Sequence, residues 1–112
     1  ILHFAELALT ASVETSDEEL LASLEAHPAR AGVLLLDASS RPVSLAVRAG
    51  PLGLQRREAM SVLDSTDIVQ ALKRALTRPL VSRFDPIACC NDVGQCRGVI
   101  PLERLIEALM RG

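Results

Sequence analysis

One pattern occurs twice in this chain, and the repeat restricts the fold more than any single residue does. In the first pass a capped amphipathic helix (Ser16, Asp17, Glu18, Glu19, Leu20, Leu21, Leu24) leads to an apolar strand, Val33-Leu34-Leu35-Leu36. A polar turn over residues 37–41 follows, then a second apolar strand over 43–47. In the second pass the helix falls at residues 67–72, the strand at 87–90, the turn at 91–95 and the return strand at 96–100. The step from the last strand residue to the small residue of the return strand is the same both times: Leu36 to Ser44, and Cys90 to Gly98. Self-similarity of this kind marks supersecondary units that bury their apolar faces on one another.

A chain of 112 residues is enough for one domain and too short for two separate cores. It is 49% hydrophobic and 23% charged, which supports a packed core and argues against disorder. The only aromatics are Phe4 and Phe84, so the core is built from Leu, Val, Ile and Ala. Aromatic stacking platforms for single-stranded nucleic acid are absent, and a net charge of −2 argues against a phosphate-backbone binder. Arg56-Arg57 and Lys73-Arg74 read as solvated helix faces. A small anionic ligand stays open, because one or two arginines suffice to hold it. No apolar run reaches the length of a membrane span. Neither nucleic acid nor membrane is an expected partner. The chain begins at Ile1 with no basic leader and reads as a domain excised from a longer protein. Three cysteines suit no disulfide framework and point to a reducing cytoplasm.

Local signals place the elements. Residues 1–11 (Leu2, Phe4, Ala5, Leu7, Leu9) have a helix-like rhythm and read as a short leading helix, with a brief strand over 11–14. Thr15 or Ser16 caps the first helix through Thr15-x-x-Glu18 or Ser16-x-x-Glu19. Pro28 stops it near His27. Val33 to Leu36 lack alternation, the mark of a strand covered on both faces. Residues 48–57, with Gly50-Pro51-Leu52-Gly53, read as a connector, and 58–63 as a short helix or turn leading to a brief strand. Asp64, Ser65, Thr66 and Asp67 supply N-cap chemistry. Ile68, Val69, Leu72 and Leu76 share one helical face. The link over 80–86 is longer than its counterpart in the first half. Gly94 supplies a positive φ to the second hairpin turn. Pro101 fits the first helical position of a last helix whose apolar face is Leu102, Leu105, Ile106, Leu109 and Met110, and Arg111 and Gly112 end it. The expected class is α/β (α+β), a single domain over 1–112. Repeat one covers about 11–50, the connector 51–60 and repeat two about 61–111.

No catalytic set can be assembled. His3 and His27 lack a partner, and the carboxylates at 17–19, 64 and 67 sit where caps are needed. No glycine-rich phosphate loop is present. Cys89-Cys90-x5-Cys96 holds three thiols, and the adjacent pair points to opposite faces of a strand, unlike a zinc site. Cys90 and Cys96 face each other across the hairpin, either as a redox-formed bond or, the favoured reading, as small buried hydrophobes.

The order of capped helix, apolar strand, Asp/Asn-type turn, apolar-Gly-apolar strand and closing helix resembles the CBS motif. Two in tandem resemble a CBS pair, or Bateman module. The clearest stretch is Asp85-Pro86-Ile87-Ala88-Cys89-Cys90-Asn91-Asp92-Val93-Gly94-Gln95-Cys96-Arg97-Gly98-Val99-Ile100-Pro101-Leu102. The first copy has Ser44 where the family usually has Gly, and the resemblance spans about residues 11–111. Arg83-Phe84-Asp85, with Val99 to Leu105, is similar to CBS pairs attached to bacterial GGDEF or EAL domains of cyclic di-GMP turnover.

The resemblance implies two βαββα repeats about a pseudo-twofold axis, forming a non-catalytic regulatory module. It implies a homodimer, a linked catalytic domain and an adenine nucleotide or cyclic dinucleotide as the candidate ligand. The implied cleft is lined by Thr15, Gly32, Val33, Asp64, Pro86, Ile87 and Arg104. Where the family holds a ribose with an Asp after Ser/Thr-x-x, this chain has Val47 and Gly50 in one copy and Pro101 and Arg104 in the other. Neither copy has that carboxylate. Arg104 either faces a phosphate or acidic partner, or pairs with Glu103 or Glu107 in solvent. The alternative to ligand sensing is a structural dimerisation domain with no ligand.

Overall fold

Each repeat contains a helix started by its own side-chain cap. The hydroxyl of Ser16 accepts the Glu19 amide at 3.3 Å to start α1 (Asp17–Ala26). The carboxylate of Asp67 accepts the Gln70 amide at 2.8 Å to start α2 (Ile68–Leu76). Each satisfies a donor that the first helical turn leaves unpaired. α1 ends at His27, ahead of Pro28. The computed structural model describes residues 4–51 and 53–111. Expectations that rest on Leu2, His3, Leu52 or Gly112 lie outside the described residues.

The hairpins are built alike. β2 (Gly32–Leu36) returns as β3 (Pro42–Ala49), and β6 (Ile87–Cys90) returns as β7 (Cys96–Ile100). In the first turn Asp37 Oδ1 accepts the amides of Ser39 and Arg41 at 2.8 and 3.0 Å. In the second, Asn91 Oδ1 accepts those of Val93 and Gln95 at 3.1 and 2.9 Å. A left-handed residue closes each turn, Ser40 at φ 65° and Gly94 at φ 87°. The two turns meet where the Cys96 amide donates to the Ser40 carbonyl at 3.0 Å.

Two sheets result. β1 (Thr10–Ser12) runs parallel to β2, and β5 (Ser61–Leu63) runs parallel to β6. With β4 (Gly53–Glu58), the order is β1-β2-β3-β4 in one sheet and β5-β6-β7 in the other. Val33 and Leu35 pack under α1 with Leu20 and Leu24, while Leu34 faces the other sheet with Leu45, Val47, Ala88, Cys90 and Val99. The unalternated run at 33–36 is thus a strand buried on both faces. α2 and α3 (Leu102–Met110) cover the second sheet through Leu72, Ala75, Leu102 and Leu105.

The second repeat is βαββα, but the first does not end in a helix. β4 (Gly53–Glu58) occupies the expected connector and pairs antiparallel with β3. Arg56 and Arg57 therefore lie on a strand, not a helix, and part to different partners, Asp17 and Asp85. Nor do residues 5–9 form a helix. Glu6 bridges to Val99, exchanging both backbone bonds at 2.8 and 3.0 Å. The cause is the same in both places: each return strand has an open edge whose backbone groups need partners. The segment before β5 covers β3, and the segment before β1 covers β7. Glu6 opposite Val99 and Arg57 opposite Leu45 are equivalent positions.

The helix faces also differ from expectation. α2 buries Ala71, Leu72 and Ala75 and leaves Val69 and Leu76 exposed, because alanines let the helix approach its sheet closely. α3 buries Leu102 and Leu105 and exposes Leu109 and Met110. Pro101 is the N-cap of α3, one position ahead of the helix.

Candidate functional site

The crossing segment before β1 and the starts of β2, β6 and α3 converge on a cavity of about 210 Å³ between the repeats. Glu6, Leu9, residues 29–32, Leu34 and Leu45 line one side; Phe84, Pro86, Val99, Pro101 and Glu103 line the other. Gly32 is required there, because a Cβ would stand 2.6 Å from the Ala46 carbonyl oxygen. The Glu6 carboxylate is held by two arginines, with Arg104 Nη2 at 3.2 Å and Arg30 Nη1 at 3.7 Å. Arg30 also donates to the Leu7 carbonyl, which fixes the crossing segment against the approach to β2. The site thus presents a half-buried carboxylate between two cations, an apolar floor and one aromatic ring at Phe84.

Of the residues expected here, Gly32 and Pro86 line the cavity. Val33 and Ile87 follow them in the strands, but their side chains are fully buried in separate cores and can offer a ligand only backbone groups. Thr15 lies at the start of α1, where its carbonyl accepts Arg56 Nη2 at 3.1 Å, away from the cavity wall. Asp64 stands beyond β5, its amide on the Cys90 carbonyl at 2.7 Å and its carboxylate 3.9 Å from Arg97. Arg104 sits behind the wall and pairs with Glu6; neither Glu103 nor Glu107 is its ionic partner. Glu6, Arg30 and Phe84 were not foreseen as site residues. Glu6 fell within a run that reads as helical, and only its register on β7 reveals its place.

The pseudo-equivalent position carries the opposite charge. Arg57 Nη1 lies 2.7 Å from Asp85 Oδ1, with side chains 20% and 12% exposed. The buried side-chain atoms without a hydrogen-bond partner, among the described residues, are Arg57 Nε and Asp85 Oδ2.

The thiols are placed as the strand requires. Cys90 stands opposite Cys96 in the hairpin register and packs between the sheets, while Cys89 points into the core under α2 and α3. All three are free. Burial pushes the Cys90 thiol up to about 11, and the neighbouring Cys96 and Cys89 push the same way. Burial raises Cys89 and Cys96 also. Such thiols are poor nucleophiles at neutral pH. Among the described residues no group of three His, Cys, Asp or Glu is arranged to hold a metal ion. No helix there is long and apolar enough to cross a membrane.

No family model matches this chain, and no curated protein matches its sequence. Solved structures match it over nearly its whole length. The CBS-pair protein CBSX2 from Arabidopsis thaliana has a TM-score of 0.72 at 14% identity, covering 99% of this chain and 94% of its own. A CBS-domain pair with bound AMP from Klebsiella pneumoniae has a TM-score of 0.69 at 9% identity, covering 98% and 97%. The fold is that of a CBS-domain pair. The CBS domain of a bacterial CNNM/CorC family Mg2+ transporter, in complex with ATP, agrees at a TM-score of 0.71 and 19% identity, covering 97% and 85%. The likeness is one of backbone. In this chain β4 stands where a first closing helix was expected, and the Glu6 carboxylate lies in the cleft.

Proposed function

We propose that this pair is a non-catalytic regulatory module that binds an adenine nucleotide in the cleft lined by Gly32 and Pro86. The observation that carries the reading is the Glu6 carboxylate. Both positions at which the family presents a ribose acceptor lack one, and Glu6 reaches the same cleft from the crossing segment. Arg30 and Arg104 hold it in place, and a carboxylate so oriented can accept from both hydroxyls of a ribose diol. Phe84 offers a ring face to the base. A cavity of about 210 Å³ suits the base and sugar, leaving phosphates at the rim beside Arg30. Solved pairs of this fold with AMP and with ATP support the ligand class.

Regulation would follow from differential affinity of the nucleotide for two arrangements of the repeats, transmitted to a linked enzyme. Arg83-Phe84-Asp85 supports a partner of cyclic di-GMP turnover, with a cyclic dinucleotide as the competing ligand. A thermal-shift panel of AMP, ADP, ATP, cyclic di-AMP and cyclic di-GMP tests this. A rise in Tm with adenine mononucleotides alone is the expected result. A response only to cyclic dinucleotides replaces the ligand, and no response to any removes sensing.

A second reading, a structural dimerisation domain, is favoured by one observation. Val69, Leu76, Leu109 and Met110 are exposed on the paired helices α2 and α3. A second copy covering them would form a homodimer. Sedimentation showing a tight dimer with no nucleotide response would favour this reading; a monomer would count against it.

A further inference from the structure

A larger cavity, of about 580 Å³, opens outside the cleft, between the β4–β5 link and the C-terminal end of α2. None of its wall comes from β2, β3 or α3, which separates it from the site of Glu6. Three arginines line it, Arg57, Arg74 and Arg78, with Glu58 as the one acidic residue of the wall. Met60 and Val81 add an apolar wall.

Arg74 and Arg78 are fixed by carbonyl oxygens, and Arg57 is paired with Asp85. Arg78 Nε donates to the Ala75 carbonyl at 3.1 Å, and its Nη2 to those of Arg83 and Asp85 at 2.6 and 2.9 Å. Arg74 Nη2 donates to the Ser61 carbonyl at 3.3 Å. Carbonyl dipoles orient a guanidinium without cancelling its charge. Among the described residues, Arg57 alone of the three has a carboxylate within ion-pair distance, and its Nε is a buried donor without an acceptor. Burial lowers the Arg78 pKa, with nearby Asp85 opposing. A partly desolvated cation in that state gains from an anion beside it. Each guanidinium has five N–H donors in a planar fork, matched to phosphoryl oxygens.

We infer that this cavity binds the phosphoryl group of a small organic anion, with Arg57, Arg74 and Arg78 as its donors and Met60 and Val81 against the organic body. The volume lies within the range of small-molecule sites, about 300–1,000 Å³. The inference does not depend on a nucleotide in the cleft.

Two-dimensional amide NMR of the chain at low ionic strength, titrated separately with pyrophosphate, inorganic phosphate and adenosine, tests it. Pyrophosphate is expected to shift the amides of 58–61 and 74–82 saturably, and to bind more tightly than phosphate. Arg74→Gln, at an exposed position, should weaken pyrophosphate at least tenfold while keeping a native spectrum. Arg78→Gln should do the same, provided its spectrum stays dispersed. Adenosine reports on the cleft alone, through residues 30–32 and 98–103, so the two sites fail independently. Pyrophosphate shifts confined to the cleft, the absence of saturation, or unchanged affinity in Arg74→Gln would overturn the inference.

Discussion

Gly98 shows how one residue ties the repeat to the cleft. A Cβ there would stand 2.7 Å from the Glu6 carbonyl oxygen and 3.3 Å from the Ala5 Cβ. The residue must be small because another backbone crosses over it. Gly98→Ala is expected to cost about 1–3 kcal/mol, the usual range for overpacking. It should also speed hydrogen exchange at the Glu6 amide ahead of the rest of the sheet. Uniform exchange would mean that the crossing segment is not what Gly98 accommodates. The spacing of Gly98 was legible in the sequence, but its reason was not, because the atom it avoids lies more than ninety residues away. The thiols carry a second prediction at this scale. The folded state favours the protonated Cys90 thiol, whose pKa rises from the ordinary 9.0 to about 11. The stabilisation is complete below pH 9, and it is lost as pH rises toward 11. Urea unfolding should show this decline, and Cys90→Ala should flatten it relative to the wild type. An equal decline in both would place the alkaline sensitivity elsewhere.

Among the elements, β4 was the least legible. Gln55, Arg56, Arg57 and Glu58 carry no apolar alternation, and nothing local distinguishes them from a solvated link. The open edge of β3 makes them a strand, and their charges suit an edge that must not pair further. The capped helices and both hairpins were readable because Ser16, Asp67, Asp37 and Asn91 act on amides within a few residues of themselves. The helix faces were readable only in part. Hydrophobicity alone favours Val69 and Leu76, whereas close packing selects Ala71 and Ala75. β4 is anchored to the approach to β6 through Arg57 and Asp85. Arg57→Ala leaves the part-buried Asp85 carboxylate without its cation and should destabilise by about 1–3 kcal/mol. Arg57→Met combined with Asp85→Leu should recover most of that loss in chemical denaturation. A double variant no more stable than Arg57→Ala would show that the loss comes from packing, not from the stranded charge.

Across the whole molecule, the duplication is more reciprocal than the two hairpins alone indicate. Each repeat lends the segment before its first strand to the other's return strand, so neither sheet edge is complete without its neighbour. That exchange places Glu6 in one cleft and Arg57 at the equivalent point. The cleft's glycine and proline, Gly32 and Pro86, lie inside the repeated pattern and were legible. Its carboxylate lies outside the pattern and was not. The same asymmetry places a carboxylate in the cleft at a point the repeated pattern does not reach. Isothermal titration of the chain with AMP and ATP, compared between the wild type and Glu6→Gln, tests this most directly. Saturable one-site binding to the wild type is expected, weakened at least tenfold by Glu6→Gln, as for loss of a charged hydrogen-bond acceptor. Absence of binding to the wild type, or equal affinity in a folded Glu6→Gln variant, would contradict a nucleotide held by Glu6.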